Sequence, residues 1–458
     1  MAIGVLALLT PAQPDTFWHL RAGADIWRTG NVPRVDLYSH TAYGQPWPDH
    51  EWLSQLLMYG AFWLGGGMPG LELGAAALIL AAAAVVYRLM VGPRLTRFVL
   101  LAVGLLITSS AWTLRPQLLT LFMLAALVWL VAHERFVFLP PYFLVWANAH
   151  GGVALGGVVL FGCWVAAVLH WWCTRAADAR RRAWRLGLAL ALSGLAVAAT
   201  PLAFHLYRFV VTSAARSSAV QIAEWFMLRP DSLYGVTFWG ATLAFAFLLV
   251  TRRKALAAGE WTDWAVVAGA VALMPLAIRS ARNIGPFLTL MMPAASRLLG
   301  RSFRFRLSRR PRPESEDHPA FNLALLGLVG AGAVVAVALV WKAPPRQLYW
   351  RPLGAGAVQA LDGCPGPLYN RYAEGGPLVW FAPQRLDFVD GRQDPFPFWL
   401  LRQSFAVEQG APYQELFARF GVRCAFLPAT SQLALRLRDD GWSPRYLDTD
   451  WAVLAAPR

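Results

Sequence analysis

The residues best suited to acid–base chemistry crowd into one polar stretch near the start of the chain. Pro14-Asp15-Thr16-Phe17-Trp18-His19-Leu20-Arg21 is followed by the turn Asn31-Val32-Pro33-Arg34-Val35-Asp36 and then by Trp47-Pro48-Asp49-His50-Glu51-Trp52-Leu53. Each acid has a structural reading of its own. Asp15 precedes a helical stretch and can cap it. Asp36 can close its turn. Asp49 and Glu51 suit the positive end of the helix that follows them. Taken with His19 and His50 beside apolar sequence, they also form a candidate site. A carboxyl against apolar surface has its pKa raised, which suits a general base acting on a hydroxyl. Asp49, His50 and Glu51 offer donor atoms to a divalent cation as well, although no ligand spacing here is diagnostic of a metal.

A second set of candidates is basic. Arg115, in Arg115-Pro116-Gln117, and Arg279 and Arg282, in Ile278-Arg279-Ser280-Ala281-Arg282-Asn283, sit at the ends of apolar segments. A charge at membrane depth is costly and usually functional, and the guanidinium fork fits a phosphate bidentately. A lipid phosphate or pyrophosphate is the expected partner of Arg279 and Arg282, which come together, and Arg115 could join them. The alternative, pairing with the first-loop acids or snorkelling to headgroups, is favoured for Arg208 and Arg216; Arg229 lies in the same segment. Asn148-Ala149-His150-Gly151-Gly152 adds a histidine that could orient a substrate hydroxyl or serve as a structural donor. Ile222-Ala223-Glu224-Trp225 adds an acid and an aromatic ring.

Apolar segments must position these groups. Hydrophobic residues make up 57% of the 458 positions and only 15% are charged, against about a quarter charged in a soluble domain. Ten candidate membrane spans can be drawn: Leu71–Met90, Phe98–Trp112, Gln117–Ala132, Phe136–Trp146, Val153–Trp172, Leu186–Phe204, Leu233–Thr251, Trp264–Ile278, Ile284–Ala295 and Phe321–Trp341. Several reach the roughly 20 residues that cross a hydrocarbon core, and the shorter ones read as broken or tilted helices. Met1–Pro11 is apolar but too short to span alone.

The net charge of +15 does not point to nucleic acid, because of where it lies. Arg88–Arg97, Arg175–Arg185, Arg252–Lys254 and Arg297–Arg312 all fall in loops on one side if Met1 starts inside. That is the positive-inside pattern. The same count puts the first loop, residues 13–67, and the tail from Lys342 onward outside. The membrane body is expected over residues 1–341 and a water-soluble domain over 342–458. In that tail, Pro367–Asn370, Leu378–Ala382, Leu386–Val389, Cys424–Leu427 and Trp451–Ala455 read as strands. Tyr413–Phe420 and Ser431–Arg438 read as helices, giving a small α/β domain. Cys364 and Cys424 both lie in it, where an oxidising compartment would permit a disulfide.

These residues also carry a resemblance. Asp15-Thr16-Phe17-Trp18-His19-Leu20, then Gly30-x-x-Pro33-x-x-Asp36 and Trp47-x-x-His50-Glu51-Trp52-Leu53, resemble the first periplasmic loop of bacterial members of the GT-C superfamily. These are polytopic membrane glycosyltransferases that use polyprenyl-phosphate sugars. Arg115-Pro116-Gln117, Asn148-x-His150-Gly151-Gly152 and Ser280-Ala281-Arg282-Asn283 resemble further patches of that branch. So do Tyr369-Asn370-Arg371-Tyr372, Gly375-Gly376 and Phe388-Val389-Asp390-Gly391-Arg392-x-Asp394. The resemblance implies about 10–12 membrane helices in the bacterial inner membrane and inverting sugar transfer to a glycan, lipid or protein acceptor on the periplasmic side. It implies Asp15 as catalytic base or metal-linked site, with Asp49 and Glu51 as alternatives. His19, His50, Arg115, His150, Arg279 and Arg282 would contact substrate. At the Asp15 position the branch lacks the superfamily's paired Asp-x-Asp or Glu-x-Asp, so the resemblance does not by itself imply a metal, and a divalent cation stays a possible cofactor. Two rival readings are a non-catalytic scaffold or lipid-binding subunit of polysaccharide assembly, and a lipid or polysaccharide transporter. The chain shows no internal repeat of the kind common in transporters.

Overall fold

The computed structural model of the protein describes residues 2–47, 49–203, 212, 223–300 and 319–457. The expected roles of Arg208 and Arg216, the end of the Leu186–Phe204 span and the basic linker at 301–318 lie outside these residues. Every one of the ten expected spans falls on a helix. The membrane part runs α1 (Ala2–Ala7), α2 (Pro14–Thr29), α3 (Trp52–Leu64), α4 (Met68–Leu89), α5 (Arg94–Ser109), α6 (Gln117–Ala132), α7 (Leu139–Ala149), α8 (Val153–Thr174) and α9 (Ala177–Val197). It continues with α10 (Leu233–Thr251), α11 (Trp261–Arg279), α12 (Ile284–Gly300) and α13 (Pro319–Lys342).

Among the described residues, five of these helices, α4, α8, α10, α11 and α13, are long and apolar enough to cross a membrane. The α13 stretch Leu323–Lys342 is the most apolar, with a mean hydropathy of 2.7, yet only 6% of it is buried within the protein. A helix so apolar and so bare is stable only where lipid covers it. The chain is a multi-pass membrane protein.

The tail carries a four-stranded sheet of β1 (Leu368–Asn370), β2 (Cys424–Pro428), β3 (Ser443–Leu447) and β4 (Trp451–Ala455) in the order β1-β2-β4-β3. The β1–β2 pair is parallel and the other two are antiparallel. Helices α14 (Tyr372–Phe381), α15 (Phe398–Glu408), α16 (Gln414–Phe420) and α17 (Gln432–Asp439) complete the α/β domain. Cys364 and Cys424 are joined by a disulfide.

Two expected strands are not strands. Leu378–Phe381 lies in α14, which packs along α2 at Gly376 and against Val389 and Asp390 at Gly375, so its apolar run belongs to a helix with neighbours on two sides. Leu386–Val389 only bridges the first loop, at Ser39 and Asp387. The strand β3 and helix α15 were not foreseen. β3 is an exposed edge strand bulged at Pro444, and it lacks the alternation that marks a half-buried strand.

The first loop is stapled to this tail. His40 N–H donates to Asp387 O at 3.0 Å and Asp387 N–H donates to Tyr38 O at 3.0 Å. Thr41 Oγ1–H donates to Phe388 O at 2.5 Å. Arg392, wholly buried, donates to Asp390 at 2.6 Å and to Asp36 at 2.6 Å, under the rings of Tyr38 and Trp47. Asp36 does close its turn, accepting Tyr38 N–H at 3.0 Å, but it also anchors the tail's guanidinium.

Candidate active site

The helix that carries Asp15 does not use it as a cap. Thr16 Oγ1 accepts the Gln13 N–H at 2.9 Å and donates to Leu114 O at 2.8 Å, tying the start of α2 to the segment that ends at Arg115. Asp15, one residue inside the helix, is left facing Arg115, whose Nη2 lies 3.1 Å from its Oδ2. Trp18 Nε1–H donates to the other oxygen at 3.2 Å. Burial raises the Asp15 carboxyl above its ordinary range, with Arg115 acting in the opposite sense.

Glu51 stands at the N-terminus of α3 without capping it. Its carboxylate is ringed by imidazoles: Oε1 lies 3.3 Å from His150 Nε2 and 3.5 Å from His50 Nε2, and Oε2 lies 3.6 Å from His19 Nε2. Burial alone would raise the Glu51 carboxyl, but the opposing action of His150, His50 and His19 holds it well below its ordinary range. The three rings divide the protons unequally. Burial opposes charge on His50, yet Glu51, Asp394 and Asp49 raise it to about 9. Burial lowers His19 to about 3 and His150 to about 4. The ionised pair is therefore Glu51 with His50.

The tautomer of His150 follows from its partners. Gly152 N–H donates to Nδ1 at 3.0 Å, and Thr120 Oγ1 lies 2.7 Å from the same nitrogen. Nδ1 is thus an acceptor, and Nε2 carries the proton toward Glu51. A ring so placed cannot ligate a metal through Nε2. Among the described residues, no group of three or more His, Cys, Asp or Glu is arranged to hold a metal ion.

Asp49 is nearly buried, and burial raises its carboxyl to about 7. Its Oδ1 accepts Gln55 Nε2–H at 2.8 Å, while Oδ2 has no hydrogen-bond partner among the described residues.

On the far side of Arg115, Glu224 accepts from Arg282 Nη1 at 2.7 Å and lies 3.9 Å from Arg115 Nη1. Arg282 stacks over Trp225 at 5.1 Å. Arg279, by contrast, is exposed at the end of α11 and makes no ion pair among the described residues. Arg229 is exposed and pairs with Asp231. Of the candidates read from sequence, Asp15, His19, Asp49, His50, Glu51, Arg115, His150 and Arg282 form one connected constellation, and Arg279 stands apart from it.

The tail closes over Asp15. Tyr372 O–H donates to Gly391 O at 3.1 Å and accepts from Gln393 Nε2–H at 2.9 Å. Gly391 packs so close that a Cβ there would lie 1.8 Å from Asp15 Oδ1. Sequence reasoning missed Thr120 and Gln393. Thr120 stands three residues into an otherwise apolar helix, and that was the only signal it gave.

Arg115 also forms the polar end of an apolar cavity of about 240 Å³ between α3, α4 and the start of α6. Met58, Leu71, Ala75 and Leu118 line it. Ser54 joins Arg115 there, its buried Oγ without a hydrogen-bond partner among the described residues.

No protein-family model and no curated protein sequence matches the chain. A solved structure does: the archaeal oligosaccharyltransferase AglB from Archaeoglobus fulgidus, in complex with an inhibitory peptide and a dolichol-phosphate. The superposition covers 93% of this chain and 68% of that one, with a TM-score of 0.51 at 11% identity. The overall fold resembles that of AglB. At that identity the likeness concerns architecture, and function has to be argued from the site.

Proposed function

We propose that the protein is a lipid-linked glycosyltransferase that moves a sugar from a polyprenyl-phosphate donor to a hydroxyl-bearing acceptor, with inversion. One observation carries this reading. Asp15, Glu51, Arg115, Arg282 and three histidines, drawn from separate segments, meet where an apolar cavity ends at a guanidinium. A prenyl chain suits the cavity, and its phosphate suits Arg115 and Arg282. As the glycosyl–phosphate bond breaks, negative charge grows on the phosphate oxygen, where two guanidiniums stabilise it. Asp15, raised by burial, accepts the proton of the attacking hydroxyl. Glu51, held ionised, faces the positive charge that develops at the anomeric carbon.

The tail, residues 342–458, packs over Asp15 and would shape the acceptor side. Its disulfide and the Arg-rich loops support a non-cytoplasmic face for the site, in a bacterial inner membrane. The acceptor class stays as broad as glycan, lipid or protein.

The test is transfer of radiolabelled sugar from a panel of polyprenyl-phosphate sugars in reconstituted membranes. Asp15→Asn should lose about 10²–10⁴-fold in rate, and Arg282→Ala should lose transfer while folding normally. Wild-type protein that binds the donors and transfers nothing to any acceptor would instead favour a lipid-binding scaffold.

A further inference from the structure

The site's positive charge is already matched within the chain. Arg115 stands between two carboxylates, Asp15 at 3.1 Å and Glu224 at 3.9 Å, and Glu224 reaches on to Arg282 at 2.7 Å. The two carboxylates are not held alike. Asp15 is fixed by Trp18 Nε1–H and covered by the Gly391 backbone. Glu224 lies on the one-turn Ala223–Trp225 helix, whose Trp225 ring stacks under Arg282 and whose backbone is held by the segment that begins at Ser280. Ser280 Oγ–H donates to Glu224 O at 3.0 Å, and Ala281 N–H donates to Phe226 O at 2.9 Å. Among the described residues the Glu224 carboxylate contacts only the two guanidiniums, and its side chain is 34% exposed. A carboxylate between two guanidiniums presents them with a pair of anionic oxygens, the same chemistry a phosphate offers.

We propose that Glu224 is a built-in stand-in for the phosphate monoester of a lipid: it occupies the Arg115–Arg282 anion site and swings out when that phosphate enters. The proposal rests on the lipid-phosphate reading of the site. The physical reason is charge. A phosphate placed beside both carboxylates would bring at least three negative groups to two guanidiniums in a half-buried setting, so one carboxylate must leave. Glu224 is the more exposed of the two, 34% against 20% for Asp15, and the one not covered by the tail. Such a competitor also sets a threshold: a phosphate that engages both forks displaces it, and an ordinary carboxylate gains nothing over it.

The experiment uses the full chain in nanodiscs and measures binding of farnesyl phosphate, inorganic phosphate and farnesol by calorimetry. Glu224→Gln, and Glu224→Ala as a second variant, should bind farnesyl phosphate about tenfold more tightly than wild type. Inorganic phosphate should gain in parallel from a weaker start, and farnesol should not gain. Arg282→Ala should weaken both phosphates. Unchanged or weaker farnesyl phosphate binding in both Glu224 variants, with wild type binding well, would overturn the stand-in and leave the lipid-phosphate reading intact. An equal gain for farnesol would also overturn it, since charge competition would not be the cause. If neither wild type nor variants bind farnesyl phosphate, the lipid-phosphate reading falls with it.

Discussion

At the scale of single residues, the unequal protonation of the three imidazoles around Glu51 governs the site's behaviour with pH. His50 titrates at about 9 when folded, above its ordinary 6.5. The pairing with Glu51 therefore contributes fully below pH 6.5 and is lost as the pH rises through about 9. In Glu51→Gln the principal raising influence disappears, and the burial acting on His50 is then opposed only by Asp394 and Asp49. Its titration should then fall below 6.5, as followed by nitrogen-15 resonances of histidine-labelled protein. A His50 that still titrates near 9 in that variant would mean that Asp394 and Asp49, not Glu51, hold its proton. The same spectra report His150, whose Nδ1 should stay unprotonated at neutral pH.

At the scale of elements, the fit of the tail against α2 depends on two glycines that meet different neighbours. A Cβ at Gly376 would lie 2.2 Å from Pro14 O, a backbone atom that cannot turn away. A Cβ at Gly391 would lie 1.8 Å from Asp15 Oδ1, the free end of a side chain. Gly376→Ala should therefore cost about 1–3 kcal/mol of stability by overpacking, read as a lower thermal midpoint. Gly391→Ala should leave that midpoint nearer wild type and instead reduce sugar transfer, because it displaces Asp15 from Arg115. Equal loss of stability in both would argue that Asp15 is held by packing alone. Leu378-Val379-Trp380-Phe381 has the composition of a strand, yet it is helical, packed with Gly376 against Pro14 of α2 and with Gly375 against Val389 and Asp390.

At the scale of the whole molecule, the join between membrane body and tail runs through one buried cation. Arg392 satisfies Asp390 and Asp36, residues more than 350 positions apart for the latter pair, with no exposure on any of the three side chains' charged ends. Arg392→Met leaves two buried carboxylates without their partner, which should cost about 3–5 kcal/mol. The triple variant Asp36→Asn, Asp390→Asn, Arg392→Met should recover most of it. Chemical unfolding of the purified protein with limited proteolysis of the tail reads both. A single variant as stable as wild type would show that the apolar contacts of Tyr38, Trp47 and Phe396 suffice to hold the tail.

The membrane body was legible in the pattern of residues along the chain. Long apolar runs with no strand alternation favour helices in lipid, so each of the ten expected spans overlaps a helix among the described residues, and the residue types of the first loop already announced acid–base chemistry. Tertiary structure decided which of those residues act together. Asp15, Glu51, Arg115, His150 and Arg282 come from segments separated by up to hundreds of positions, and nothing local to any of them records the others. It also decided the roles. Burial and the partners of Nδ1 and Nε2 fix where each proton sits, and these depend on what packs against a residue, not on the residue's neighbours in the chain.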